Sequence, residues 1–143
     1  MNVFIVGSPL ETARALDAKR FNKQCIETKQ ILDALFGESK AWNRHPATLQ
    51  YEEYKLWLQN YQSCFLAYKN RNFEGAVIYS QLADSIRPPF HTESFFAQMK
   101  RRLYTKDPIH YARWADLGTS EENWYWSPTE EKIIKYVNGK RQD

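Results

Sequence analysis

Residues 8–37, SPLETARALDAKRFNKQCIETKQILDALFG, decide the fold class. Ser8 and Glu11 stand at capping-box spacing with Pro9 at the first helical position, so a hydroxyl and a carboxylate are in place to satisfy the orphan amides of a first turn. From there Ala18, Phe21, Cys25, Leu32 and Leu35 recur at three- and four-residue steps, which predicts one long helix with a single core face. Gly37 stops that helix just after Phe36.

Ala41 to His45 reads as a connection, and Pro46 opens a second long helix carrying Leu49, Leu56, Tyr61, Phe65 and Tyr68 as far as Asn70–Asn72. Its aromatic load predicts a buried or ligand-facing wall. A third helix is expected over Phe73–Ile86, ended by Arg87-Pro88-Pro89-Phe90, where the residue before each proline disfavours helix. Thr92 caps a fourth, SFFAQMKRRLY, and Asp107-Pro108 breaks it into an irregular aromatic segment through Trp126. Ser127-Pro128-Thr129-Glu130 repeats the capping signature and predicts a last helix with Ile133, Ile134 and Val137 on its apolar side and Gly139 at its end. The expectation is a mainly α chain: one compact helical domain over residues 1–143, about five helices, with irregular aromatic loops near the C-terminus.

Composition narrows the function. The 143 residues are 43% hydrophobic and include five tryptophans and nine tyrosines, a load that a disordered chain does not carry. The net charge of +3 permits a polyanionic partner without demanding one, so any basic surface must be local. Two cysteines, Cys25 and Cys64, have neither metal-ligand spacing nor the number for a disulfide scaffold, and read as buried thiols in a reducing compartment. The start MNVFIVGSPLE has no basic leader, and Gly7, Ser8 and Pro9 cut its apolar run short, so neither a signal peptide nor a membrane span is expected. Gly-rich phosphate loops, nucleophile elbows and zinc-type spacings are missing from the sequence.

Four groups of residues have chemistry to offer. Arg20, Lys23, Glu27 and Gln30 stack as one polar stripe down the first helix. That stripe is either a solvated face with a Lys23–Glu27 pair, or a groove in which cations hold phosphates and a lone carboxylate acts on a sugar. Trp42-Asn43-Arg44-His45, beside a helix N-terminus, suits a phosphate or a base edge, and equally a structured helix entrance. His91, Lys100, Arg101, Arg102 and Lys106 make the fourth helix the most basic neighbourhood. Trp114, Trp124, Tyr125 and Trp126 can stack on unpaired bases or fill a core, and core packing is the simpler expectation.

In order along the chain stand MNVF, Lys19-Arg20-Phe21-Asn22-Lys23-Gln24-Cys25-Ile26-Glu27, Asn43-Arg44-His45-Pro46, Lys106-Asp107-Pro108-Ile109-His110-Tyr111 and Trp124-Tyr125-Trp126-Ser127-Pro128. This layout resembles the pyrimidine-dimer DNA glycosylases. The resemblance implies a glycosylase with AP-lyase activity in which a free terminal amine attacks C1′ of the damaged nucleotide and forms a Schiff base, with no metal or cofactor. An α-amino group titrates near 8, so an appreciable neutral fraction is available to attack. The amine is that of Asn2 once Met1 is removed, or of Met1 where it is kept, and Glu27 matches the family's catalytic glutamate. Arg20, Lys23, Gln24, Gln30, Asn43, Arg44, His45, His91, Arg101, Arg102 and Lys106 then form the set expected to contact nucleic acid or nucleotide. The partner implied is damaged duplex DNA in the cytoplasm of a bacterial or phage-infected cell, with no membrane. Two other readings fit the same residues: a non-catalytic nucleotide-binding protein, and a helical interaction protein with an aromatic surface.

Overall fold

The computed structural model describes residues 1–143, and 54% of the chain is helical, so the protein is mainly α. The helices are α1 (Pro9–Ala15), α2 (Ala18–Leu35), α3 (Pro46–Leu49), α4 (Lys55–Lys69), α5 (Phe73–Ser85) and α6 (Glu93–Lys106), followed by a 3-10 helix at Ala112–Leu117. Three antiparallel strands, β1 (Glu122–Ser127), β2 (Lys132–Val137) and β3 (Lys140–Arg141), form a sheet in the order β1-β2-β3. The chain divides into two compact units, Met1–Pro88 and Pro89–Asp143, with the boundary in the proline stretch. None of the helices is long and apolar enough to cross a membrane.

In the first unit the predicted capping box is present: Ser8 Oγ accepts from the Glu11 amide at 3.1 Å and the Glu11 carboxylate from the Ser8 amide at 3.4 Å. The single long helix is not. Leu16 and Asp17 are both extended, and the Asp17 carboxylate accepts from the Arg20 amide at 3.4 Å, capping a fresh helix. Arg20 Nη1 reaches back to Asp17 at 3.1 Å and reinforces the break. An internal N-cap thus competes with helix continuation and wins, because the cap satisfies donors that a new first turn would otherwise leave open. Gly37 ends α2 at φ +77 as its position predicts, with the Glu38 amide on Asp33 O at 2.8 Å. The buried face of α2 also differs from the expected one: Gln24, Cys25, Thr28, Ile31 and Leu32 are inside, and Ala18 is exposed.

The second long helix is likewise two pieces. Pro46 starts a single turn, α3, and the chain turns through Tyr51–Tyr54 before α4 begins. The break brings Tyr51 back onto α4, where Tyr51 stacks on Trp57 at a centroid spacing of 5.2 Å, Trp57 meets Tyr61 at a tilt at 5.2 Å, Tyr61 stacks on Phe65 at 4.5 Å, and Phe21 of α2 continues the column at 5.0 Å. All four of the first set are 0 or 1% exposed, so the aromatic wall is core. Cys25 and Cys64 are buried free thiols, and burial pushes the Cys64 thiol up to about 12. Asn72 caps α5 by accepting from the Gly75 amide at 3.0 Å; a Cβ at Gly75 would lie 2.5 Å from that amide side chain, which is why glycine stands there.

The second unit corrects the expected last helix. Ser127 Oγ does accept from the Glu130 amide at 3.2 Å, but Glu131 takes φ +53 and the segment becomes the turn of a hairpin. Trp124, Tyr125 and Trp126 pair with Lys135, Ile134 and Ile133, and Tyr125 and Ile134 are both 6% exposed. Cross-strand packing of aromatic and β-branched side chains therefore overrides a local helix-start signal. Phe90 lies flat on Trp126 at 5.7 Å and edge-on to Phe95 at 5.4 Å, and α6 buries Phe95, Phe96, Met99 and Leu103.

Candidate active site

The first residues of the chain run extended and buried: Asn2 is 9% exposed and Val3 to Val6 no more than 8%. An extended segment outside a sheet needs partners for its amides and carbonyls, and Gln24 supplies them. Its Nε2 donates to the Asn2 carbonyl at 2.8 Å and its Oε1 accepts from the Phe4 amide at 3.0 Å. Tyr61 donates to the Phe4 carbonyl at 2.6 Å and lies 3.0 Å from Gln24 Oε1. Burial pushes the Tyr61 phenol well above its ordinary range, so it stays a donor. Further along, Thr12 Oγ1 accepts from the Val6 amide at 3.1 Å.

The clamp fixes the nitrogen of residue 2. That nitrogen donates to Glu27 Oε2 at 3.4 Å, while Asn2 Oδ1 accepts from the Val3 amide at 2.9 Å. Glu27 lies three residues beyond Gln24, so one helix face holds the backbone and presents a carboxylate to the amide of residue 2. The Lys23–Glu27 pair does not form, and Lys23 faces solvent.

His45 completes the group. Its Nδ1 accepts from the Ala47 amide at 3.0 Å and caps α3, which leaves the proton of a neutral ring on Nε2. Burial, and then the positive charge of the N-terminus, hold its pKa below the ordinary imidazole value, with Glu27 acting in the opposite sense. Amine, carboxylate and imidazole are thus within electrostatic reach of one another. Trp42, 46% exposed and in the left-handed region at φ +63, presents its ring to the edge of His45 at 5.7 Å.

Among the other sequence-predicted residues, Arg20 is tied to Asp17, and Gln30, Asn43 and Arg44 are exposed in the same unit. Four of the residues expected to contact nucleic acid are engaged within the protein. Gln24 is 1% exposed and its amide is fully engaged by the backbone of the N-terminal segment. His91 is 3% exposed, packed among the rings of Phe90, Phe95 and Phe96. Arg101 donates to the Leu117 carbonyl at 2.9 Å; Arg102 donates to the Ser120 carbonyl at 2.9 Å and to Asn123 Oδ1 at 3.2 Å. Those guanidiniums latch the segment before β1 onto α6. Lys106 remains exposed at the end of α6. The sequence reading missed Tyr61 as part of the clamp, because an aromatic on the apolar face of a helix carries no mark of what its hydroxyl holds.

Residues 1–74, just over half of the chain, match the family model described as pyrimidine dimer DNA glycosylase. Neither a curated protein nor a solved structure matches.

Proposed function

Because the chain belongs to the pyrimidine dimer DNA glycosylase family, we propose that it removes damaged or modified pyrimidines from DNA and then nicks the strand, with the nitrogen of Asn2 as nucleophile and Glu27 as its catalytic partner. The observation that carries this reading is the 3.4 Å contact between that nitrogen and Glu27 Oε2, inside a clamp that leaves the first residues no freedom to drift. Removal of Met1 turns the same nitrogen into a primary amine.

The neutral amine attacks C1′ of the lesion nucleotide, the C1′–N glycosidic bond breaks, and the departing base leaves with the electron pair. Opening of the sugar ring at C1′–O4′ gives an imine between the Asn2 nitrogen and C1′. Glu27, beside the attacking nitrogen, stabilises the positive charge that develops on the sugar. The carboxylate then accepts a proton from C2′, and the electrons expel the 3′ phosphate by β-elimination. His45, neutral and donating through Nε2, is suited to an oxygen of the leaving base or of a phosphate. Lys23 and Arg44, both exposed, supply phosphate contacts.

Borohydride reduction tests this directly. The full-length protein is expected to form a covalent adduct with abasic and cyclobutane-dimer duplexes, with intact mass showing loss of Met1. Glu27→Gln should lower trapping by about a hundredfold or more, the usual size of a general acid–base contribution. No adduct on either substrate overturns the lyase reading; nucleotide affinity without any adduct would point to a binding protein on the same scaffold.

A further inference from the structure

The turn between α6 and the 3-10 helix carries a side chain that the catalytic reading leaves unused. Ile109 is 91% exposed, more than any other large apolar residue. Exposed apolar residues are individually common, but this one stands on a held backbone. Asp107 Oδ1 accepts from the His110 amide at 3.0 Å, the Asp107 carbonyl accepts from the Tyr111 amide at 3.1 Å, and Pro108 fixes the intervening φ. Tyr111 is fully buried, and Trp114 lies flat on it at 5.3 Å with planes 5° apart, so the turn is anchored immediately behind its tip.

Cations flank the tip. Lys106 and Arg113 are exposed on either side of it. Arg113 sits over the Trp114 ring at 4.5 Å and Lys100 over the same ring at 5.7 Å, which orients both without neutralising them. Between residues 100 and 113 the chain has five Lys and Arg against one acidic residue, Asp107, whose carboxylate already accepts from the His110 amide.

We propose that Ile109 is a wedge that enters the base stack of duplex DNA, with Lys106 and Arg113 on the flanking phosphates. The inference rests on the glycosylase reading and gives the second unit, which lies outside the matched residues 1–74, its own part in handling the duplex. A rigid apolar tip inserted between base planes offsets part of the cost of unstacking a step. A lesion or abasic position is where that cost is lowest. The charge ring complements a polyphosphate and is unsuited to an apolar protein face, whose buried centre is depleted of charge.

The test uses the full-length protein on a duplex containing a tetrahydrofuran abasic analogue, which cannot be cleaved, with 2-aminopurine beside it. Ile109→Ser should reduce the 2-aminopurine fluorescence rise several-fold and weaken duplex affinity on the order of tenfold, with the salt slope unchanged, and Ile109→Leu should restore both. Arg113→Ala should flatten the slope of log K against log salt by about one while keeping the fluorescence rise. Borohydride trapping on single-stranded abasic DNA, which has little stacking to open, should be unchanged in both Ile109 variants, and an unchanged thermal melt reports that all three variants fold. Equal fluorescence and duplex affinity in wild type and Ile109→Ser overturns the wedge and leaves the lyase reading standing. A wild-type fluorescence rise without trapping overturns the lyase reading and leaves the wedge. Self-association in sedimentation that Ile109→Ser abolishes, with duplex binding intact, assigns the tip to a protein contact instead and overturns the wedge.

Discussion

His45 couples its own protonation to the stability of the fold. Its Nδ1 lone pair caps α3, and protonation there removes the acceptor. Burial and the N-terminal charge hold its folded pKa below the unfolded value of about 6.5. The unfolded chain therefore takes up the proton more readily, so this contribution is complete above about pH 6.5 and is lost as pH falls toward the folded pKa. His45→Asn, which caps without titrating, should show a shallower fall in Tm between about pH 7 and 5 than wild type, whereas His45→Ala should cost about 1 kcal/mol even at pH 8. Identical pH profiles for wild type and His45→Asn would show that another group sets the loss. At this scale the sequence was partly legible. Glu27 and His45 enter the candidate site on residue type, on position along a stripe and on position before a helix-opening proline. Gln24 did not, because a polar residue at a helical step reads the same whether it meets water or, as here, two backbone groups of a buried segment.

The elements were legible where one local signal stood alone and illegible where two competed. The starts at Ser8, Thr92 and Pro46 and the stop at Gly37 all stand where the residues put them. The internal break at Leu16–Asp17 was hidden because apolar spacing continues across it, and only the Asp17 carboxylate reveals the second start. Asp17→Ala removes the cap of α2 and the partner of Arg20 and should lower stability by about 1 kcal/mol, read from the urea midpoint, while Asp17→Asn should keep most of it. An unchanged midpoint in Asp17→Ala would mean that packing of buried Leu16 sets the break instead. In the C-terminal hairpin the capping chemistry of Ser127 formed and still lost, since six paired residues on each strand outweigh one satisfied amide.

Across the whole molecule the charge is modest and evenly shared. Residues 1–88 carry eleven Lys and Arg against nine acidic residues, and residues 89–143 nine against eight. Affinity for DNA then depends on placement: Lys19, Lys23 and Arg44 in the first unit, Lys106 and Arg113 in the second, all exposed. If each neutralises one phosphate, log K should fall against log salt with a slope no steeper than about −4.5. A titration series between about 50 and 200 mM salt checks this, and a slope near twice that value would show that the basic surface lies elsewhere.

The clamp beneath the N-terminal segment has a consequence for descent. Gln24, Tyr61 and Thr12 lie in the core, so exchanging any of them disturbs the fold as well as the geometry. Glu27 is only part-buried and holds the segment by a single contact of 3.4 Å, so its exchange disturbs the fold less than theirs. If Glu27 is the catalytic carboxylate, a lineage released from selection for cleavage would shed it early and keep the scaffold long afterwards, so that one position would tell working copies from retired ones.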